Sequence, residues 1–480
     1  MKEIIYNIGT LAGILPADVR RLEGEAMNHV ECIEDAYLVI EDGIIAEFGE
    51  MSDSVFQDGM KDTVILNGTK WSEESLCGRS FADAQDDRQD DAQDDRQGDA
   101  QDDRRSEGQD DRRSATQDGR LKDRQSEGQE GKAEYIDAKG GFVMPAFCDS
   151  HTHIVYAGCR DGEFRDKIAG LSYEEIAARG GGILNSADLL HETSEDELYR
   201  QSMERVNEIM AMGTGAVEIK SGYGLTVEDE LKMLRVIRRI KETSPITVKA
   251  NFLGAHAVGR AYKGRQAEYV DLVCNEMLPK VAEEGLADYV DVFCDAGFFT
   301  VEETARILEK AAEYGIRPKI HANELEVSGG VQVGVRYNAL SVDHLEKTTD
   351  AEIEVLRGSE TMPTMLPGCS FFLGLPYGRA KEYIQAGLPV ALASDYNPGS
   401  SPSGNMRFVM ALGCIRMRLT PEQSFNACTI NSAYAMGVSD ILGSITIGKK
   451  ANLIITKPIP SLAFISYSHQ TPVIEKVLIS

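Results

Sequence analysis

Histidine and carboxylate side chains close several apolar segments of this chain, in a pattern that suits metal-assisted hydrolysis. His151 and His153 lie two residues apart at the end of an apolar run, and residues two apart on a strand point to the same side. His321 ends a second run, with Glu324 three residues later, and Asp395 ends a third. Three imidazoles and a carboxylate suit a catalytic Zn²⁺ or a similar ion with an open position for water.

Other polar side chains stand at the ends of further apolar runs. Lys220 lies near the end of one further run and Tyr223 follows it, His256 ends another, and Asp343 and His344 lie near the end of one more. The chain has eight histidines, and five of them fall at such ends. A lone histidine is more often a hydrogen-bonded structural residue than a ligand, but five at equivalent positions favour a shared site.

Eight short apolar runs alternate with amphipathic segments after residue 140. The runs cover residues 140–149, 215–221, 246–256, 288–294, 316–324, 339–346, 361–368 and 389–397. The segments between them predict helices, for example over residues 194–213, 226–244 and 300–315, the latter two opening with threonine caps. Eight strands, each followed by a crossover, predict an α/β chain with a (β/α)8 barrel. Such barrels carry their chemistry at the carboxyl ends of the strands, where these side chains lie.

The chain ends and one internal segment differ from the barrel. Residues 36–50 predict two strands around a turn at Asp42 and Gly43, and residues 443–458 predict further short strands. We expect residues 1–71 and 415–480 to form a composite β-sandwich domain beside a barrel of residues 134–414. Residues 72–133 contain an eight-residue repeat with almost nothing apolar. This composition favours a disordered insertion over the alternative, an acidic interaction tether.

Composition excludes several classes of function. The formal net charge of −28 argues against binding to nucleic acids and to anionic membranes. We find no apolar run of about 18 residues and no signal-peptide pattern, so a soluble cytoplasmic protein is expected. The nine cysteines form no CxxC pair and are expected to be free thiols.

The motifs HTHIVYAGCRDGEF, EIKSGYGL, FLGAHAV, IHANEL, DHLE and ASDYNPGSS resemble, in this order, the imidazolonepropionase family of the amidohydrolase superfamily. The resemblance covers nearly the whole chain except the insertion. HTH alone is a weak signal, whereas SGYG, HANE and DYNPGSS together are much more specific. The resemblance implies hydrolysis of the ring amide C–N bond of 4-imidazolone-5-propanoate to N-formimidoyl-L-glutamate, in histidine degradation. It also implies a homodimer.

The expected chemistry uses a metal-activated water as the nucleophile. Both the residue types and the resemblance assign the ligands as His151, His153, His321 and Asp395. The run over residues 288–294 lacks the lysine that related two-metal enzymes carboxylate, so one zinc or iron ion per subunit is expected. Glu324 and His344 are the candidates for the acid and base. Glu324 could instead orient a ligand, and His344 could stabilise the oxyanion.

The substrate carries a carboxylate, which needs a local cation in so acidic a protein. Arg160 has a planar fork suited to carboxylates, and the resemblance implies that Arg160 and Tyr223 hold the substrate. His256 is expected to contact its carbonyl or ring. The turn containing Asn397, Gly399 and Ser400 can offer an amide and backbone N–H groups to carboxylates.

Two rival hypotheses remain. A nucleobase deaminase uses the same metal ligands, but a neutral base needs no carboxylate clamp. A non-catalytic scaffold on the same fold typically loses ligands, and here all four are present.

Overall fold

The computed structural model describes residues 1–53, 133–171 and 181–480. The insertion hypothesis for residues 72–133 therefore falls almost wholly outside the described residues. Strands β1–β5 are Lys2–Ile14, Glu31–Glu41, Ile44–Glu50, Glu134–Asp137 and Phe142–Pro145. Strands β6–β13 are Phe147–Thr152, Thr214–Lys220, Thr247–Ala255, Tyr289–Cys294, Arg317–Ala322, Ser341–His344, Met362–Met365 and Ala391–Leu392, and β14 and β15 are Leu453–Thr456 and Ile474–Leu478.

Strands β6 to β13 form one parallel sheet in sequence order, as predicted for a (β/α)8 barrel. Backbone bonds join the first strand to the segment after the last. The His153 N–H donates to the Tyr396 carbonyl at 2.9 Å, and the Asp395 N–H donates to the His151 carbonyl at 3.0 Å. The barrel prediction is confirmed, and the carboxyl ends of its strands meet at one face.

The predicted strand over residues 140–149 is two strands in the structure. Phe142–Pro145 pairs with β1 and β14, whereas Phe147–Thr152 pairs with β7 in the barrel. Every residue from 142 to 152 is buried, so hydrophobicity alone shows no break. The break follows Pro145, which has no N–H for a ladder. The barrel sheet thus begins at Phe147, and the predicted domain boundaries remain a proposal.

The helices α1–α8 are Asp161–Ile168, Ile183–Glu192, Glu195–Ala211, Val227–Thr243, Gln266–Leu272, Leu278–Glu283, Val301–Ala312 and Gly330–Arg336. Helices α9–α15 are Asp350–Leu356, Pro367–Leu373, Ala380–Gln385, Met406–Met417, Pro421–Cys428, Ile430–Ala435 and Phe464–Tyr467. The predicted cap at Thr226 is present, since its side chain accepts the Asp229 N–H. Ser194, which was not predicted as a cap, accepts the Glu197 N–H in the same way. Thr300 opens α7 with a full capping box. Across the described ranges, none of the helices has both the length and the hydrophobicity needed to cross a bilayer.

The two chain ends pair in one sheet, as expected, and β4 and β5, from the range assigned to the barrel, complete its seven strands. Its order is β15, β14, β5, β1, β2 and β3, with β4 paired to β1. The predicted turn at Asp42 and Gly43 joins β2 to β3 with φ angles of 51° and 79°, which suits asparagine, aspartate and glycine. A separate apolar core that includes Ile5, Leu38 and Leu453 packs on this sheet.

Candidate metal centre and active site

The four predicted metal ligands converge at the carboxyl face of the barrel. The Nε2 atom of His153 lies 3.3 Å from Nε2 of His151 and 3.4 Å from Nε2 of His321. Oδ1 of Asp395 lies 3.6 Å from Nε2 of both His151 and His153. All four side chains are buried.

This donor set fits a metal ion. Metal–nitrogen distances of about 2.0–2.1 Å place neighbouring donors of a tetrahedral site about 3.3–3.4 Å apart, close to the spacing observed. Burial is the main cause that lowers the pKa of His151, His153 and His321. Neutral imidazoles carry the lone pairs that a metal requires.

Carboxylates fix the orientation of two of these histidines. Nδ1 of His151 lies 2.7 Å from Asp343 Oδ2, and Nδ1 of His321 lies 3.0 Å from Asp291 Oδ1. A carboxylate on Nδ1 takes the N–H and leaves Nε2 to bind a metal. His151 and His321 are thus each presented in a single tautomer.

A buried group of charges supports those carboxylates. Lys220 Nζ donates to Glu218 at 2.6 Å and to Asp291 at 2.8 Å, and lies 3.6 Å from Asp343. Lys319 donates to the Ser150 carbonyl at 2.8 Å and pairs with Glu218. Burial raises the pKa of Asp291, but His321 and Lys220 outweigh it and hold this pKa well below its ordinary value. Asp291 is therefore ionised beneath its histidine.

The candidate acid and base form a pair at the edge of the centre. Oε2 of Glu324 lies 3.6 Å from Nε2 of His344, and Glu346 lies 3.5 Å from the Nδ1 atom of that histidine. Burial raises the pKa of Glu324. For His344 burial acts in the opposite direction, but Glu324 and Glu346 outweigh it and raise its pKa. The pair therefore holds a proton that it can move.

The backbone at this face is strained. His344 and Asp395 have φ angles of 85° and 54°, a region that non-glycine residues seldom adopt. Such strain costs about 1–3 kcal/mol per residue and is concentrated at functional sites.

His256 and Tyr223 form an aromatic wall beside the ligands. The His256 ring is stacked on His153 at 5.3 Å, and the Tyr223 ring lies 5.4 Å from His256. Nδ1 of His256 lies 3.0 Å from the Gly222 carbonyl. Burial first, and His321 next, lowers the pKa of His256 to about 3, so its imidazole is neutral.

Arg160 lies at the same face and is held by Glu163, a residue that the sequence did not single out. Arg160 Nε lies 3.0 Å from both carboxylate oxygens, and Nη2 lies 2.8 Å from Oε2. Glu163 also accepts the Gly182 N–H at 3.0 Å. The Arg160 guanidinium packs directly on Gly399, where an added Cβ would lie 2.3 Å from Nη1.

The turn over residues 397–401 uses its own polar groups. Oδ1 of Asn397 accepts the N–H groups of Gly399 and Ser400 at 2.8 and 2.7 Å. Ser400 Oγ lies 3.3 Å from Asp395 Oδ2. The predicted role of these N–H groups is to bind a carboxylate of the substrate or product. To do so, Gly399 and Ser400 would have to break their hydrogen bonds to Asn397 and donate to that carboxylate instead. In the structure the turn positions Asp395.

The supporting charges were not predicted from the sequence. Asp291, Glu218 and Lys319 lie inside apolar strands. For Glu218 and Lys319 the signal is a charged residue inside a fully buried strand, at an even spacing from a ligand or from another inward charge. Lys319 precedes His321 by two residues, and Glu218 precedes Lys220 by two, so each pair shares one side of its strand.

Comparisons with known proteins agree with this geometry. The sequence profile described as "Amidohydrolase family" matches residues 142–480. An imidazolonepropionase from Flavobacterium johnsoniae is 61% identical over 344 residues, covering 72% of this chain and 84% of that protein. One from Flavobacterium psychrophilum is 47% identical over 479 residues, covering 100% and 99%.

A solved structure of a triazine hydrolase variant has the same fold. Its TM-score is 0.65 at 13% identity, with 100% of this chain and 93% of that chain covered. At this identity the likeness concerns the fold alone. The sequence relatives carry the finer assignment: the chain belongs to the imidazolonepropionase family of amidohydrolases.

Proposed function

We propose that this chain hydrolyses the ring amide C–N bond of 4-imidazolone-5-propanoate to N-formimidoyl-L-glutamate. The observation that carries the proposal is the joint placement of two groups at one barrel face. A three-histidine, one-carboxylate donor set lies beside the Glu324–His344 pair. Relatives that share more than half of the aligned residues with this chain are named for this activity.

His151, His153, His321 and Asp395 would hold one zinc or iron ion. When bound, such an ion lowers the pKa of a water molecule and polarises the ring carbonyl. The choice between zinc and iron stays open, because both accept imidazole and carboxylate ligands.

Glu324 and His344 would move the protons. Glu324 accepts a proton from the attacking water at a carboxylate oxygen and returns it to the leaving ring nitrogen. Its raised pKa suits both steps near neutral pH. His344, whose pKa is raised by the two adjacent glutamates, donates a hydrogen bond to the oxygen that gains charge. Neutral His256 orients the ring.

Arg160 would bind the propanoate carboxylate, and Tyr223 would close the pocket beside it. Glu163 engages Nε and Nη2 of Arg160 and so fixes the plane of its fork. A carboxylate clamp is what an anionic substrate needs and a neutral nucleobase does not, which disfavours the deaminase alternative. A cytoplasmic location and a homodimer remain predictions.

A direct assay tests the function. The purified chain is incubated with fresh 4-imidazolone-5-propanoate, with and without a chelator, and N-formimidoyl-L-glutamate is followed by mass spectrometry. Chelator-sensitive formation of this product is expected. If a metal-loaded protein forms no product, the substrate is wrong, and cyclic amides and nucleobases should be tried next.

A further inference from the structure

A third type of ligand adjoins the catalytic pair. The Cys369 side chain lies on α10, fully buried, with its Sγ atom 3.9 Å from Glu324 Oε1. Glu324 Oε2 in turn lies 3.6 Å from His344 Nε2. One donor atom from each of Glu324, His344 and Cys369 lies within 4.8 Å of the other two. We call these three residues the thiol cluster.

His344 also has a carboxylate near its Nδ1 atom. The proposed ligands His151 and His321 have carboxylates 2.7 and 3.0 Å from Nδ1, and Glu346 lies 3.5 Å from Nδ1 of His344, a longer electrostatic contact. Ser370 Oγ donates to the other Glu346 oxygen at 3.2 Å. A carboxylate at Nδ1 directs the Nε2 lone pair away from it, and Nε2 of His344 points toward Glu324.

The local charge favours a cation. Glu324, Glu346 and Asp395 are carboxylates close enough to raise the pKa of the Cys369 thiol, after burial, which is the largest cause. Once His344 gives up its proton, a single divalent ion at the His151–Asp395 centre leaves one of these three carboxylates unbalanced. The thiol adds a soft ligand, which selects zinc, cadmium and similar ions over magnesium or calcium.

We propose that Glu324, His344 and Cys369 form a second, thiol-containing site for a soft divalent cation, separate from the ion held by His151, His153, His321 and Asp395. On binding, the Cys369 Sγ–H proton and the Nε2 proton of His344 leave to solvent as the bonds to the metal form, and no electron is transferred. An ion held there occupies both proposed proton carriers. Excess zinc or cadmium therefore inhibits the enzyme without displacing its resident metal.

Cadmium is the probe, since a cadmium–thiolate bond gives an ultraviolet charge-transfer band. The full chain, loaded with one equivalent of resident metal, is titrated with CdCl₂ while absorbance and heat are recorded and total metal is measured by mass spectrometry. We expect one further equivalent to bind with the charge-transfer band. Cys369→Ser should abolish the band and weaken cadmium binding by at least about tenfold, and Glu324→Gln should also weaken it.

Two control variants separate this site from other thiols. Cys159 is exposed and lies 2.9 Å from Asp161, so it could bind cadmium adventitiously. Cys274 is buried elsewhere. Cys159→Ser and Cys274→Ser should keep the band and the tight equivalent. An unchanged band and affinity in Cys369→Ser, or release of the resident metal as cadmium binds, would overturn the proposal.

The inhibition experiment rests on the proposed function, whereas the cadmium-binding experiment does not. In turnover assays the zinc concentration for half-inhibition should rise at least about tenfold in Cys369→Ser. If the chain fails to hydrolyse the proposed substrate, the charge-transfer band and stoichiometry still decide whether the second site exists. If it turns over and the band is absent, only the second site is refuted.

Discussion

Replacing Gly399 by alanine should weaken substrate binding through Arg160. The added Cβ would lie 2.3 Å from Nη1, 2.4 Å from Cζ and 2.8 Å from Nη2 of Arg160. To regain ordinary van der Waals contact, the guanidinium must retreat by about 1 Å. The bonds of 2.8–3.0 Å to Glu163 cannot all persist after such a shift. The Arg160 guanidinium therefore loses the orientation that Glu163 gives it.

The expected loss in kcat/KM follows from the contact between the Arg160 guanidinium and the propanoate carboxylate. A hydrogen bond to a charged group contributes about 1.5–3 kcal/mol. The side chain of Arg160 is only 7% exposed, so solvent screens this little. Losing one such contact to the propanoate corresponds to about 10–100-fold in kcat/KM. Because the reacting ring is held elsewhere, most of the loss should appear in KM, with kcat within about threefold.

Steady-state kinetics on Gly399→Ala, with metal content measured in parallel, checks this. Gly162→Ala is the matched control, because it lies on α1 beside Arg160 and its added Cβ meets nothing within 4 Å. An imidazolone lacking the propanoate gives a second readout. Its slow turnover should be the same in the wild type and in Gly399→Ala.

Two results would refute the reasoning. If KM for the propanoate substrate is unchanged, Arg160 does not bind the carboxylate. If kcat and metal content fall together, Gly399 acts through the turn that positions Asp395, because its N–H belongs to the Asn397 network.

Four further outcomes are expected. Glu324→Gln should keep the resident metal and lower kcat by about 10²–10⁴; loss of metal in the same analysis would make Glu324 structural. Asp343→Asn should weaken metal binding by about 10–100-fold in a chelator competition, and unchanged affinity would remove its orienting role. Lys220→Met should lower the free energy of unfolding by about 3–5 kcal/mol in urea, whereas the half-exposed Lys241→Met should stay within about 0.5 kcal/mol; equal effects would contradict the buried network. Deleting residues 75–131 should leave kcat and Tm nearly unchanged, and a large fall in either would refute the insertion hypothesis.

The barrel could be predicted from sequence because its strands are short and buried and its helices carry their own caps. Both signals are local. The ligands could be predicted because parallel strands bring their carboxyl ends to one face, so residues far apart in sequence, such as His153 and Asp395, must meet. The break after Pro145 could not be predicted from the sequence. The two parts of the run over residues 140–149, before and after this proline, are equally buried, and only their strand partners differ.

Residues that act through another side chain were harder to find. Glu163 follows Arg160 by three residues, a spacing that allows an ion pair on a helix, but this spacing does not indicate that the pair is buried at the site. Asp291 looked like one polar residue in an apolar strand. Asp291 orients His321 only because the neighbouring strands bring Lys220 and His321 within 3.0 Å of it. No pattern in the local sequence predicts these two contacts.

The buried lysines explain how ionised carboxylates persist beneath the ligands. A lone carboxylate in this position would take up a proton and could no longer be relied on to accept the Nδ1–H of a ligand histidine. Lys220 lies 2.8 Å from Asp291 and 3.6 Å from Asp343, and together with His321 it holds the pKa of Asp291 well below its ordinary value. Stability and histidine tautomer thus depend on the same contacts, and Lys220→Met should lose metal affinity along with stability. Arg160 is oriented by a different carboxylate, Glu163, which accepts from Nε and Nη2, so Gly399→Ala should change substrate binding while the metal stays bound.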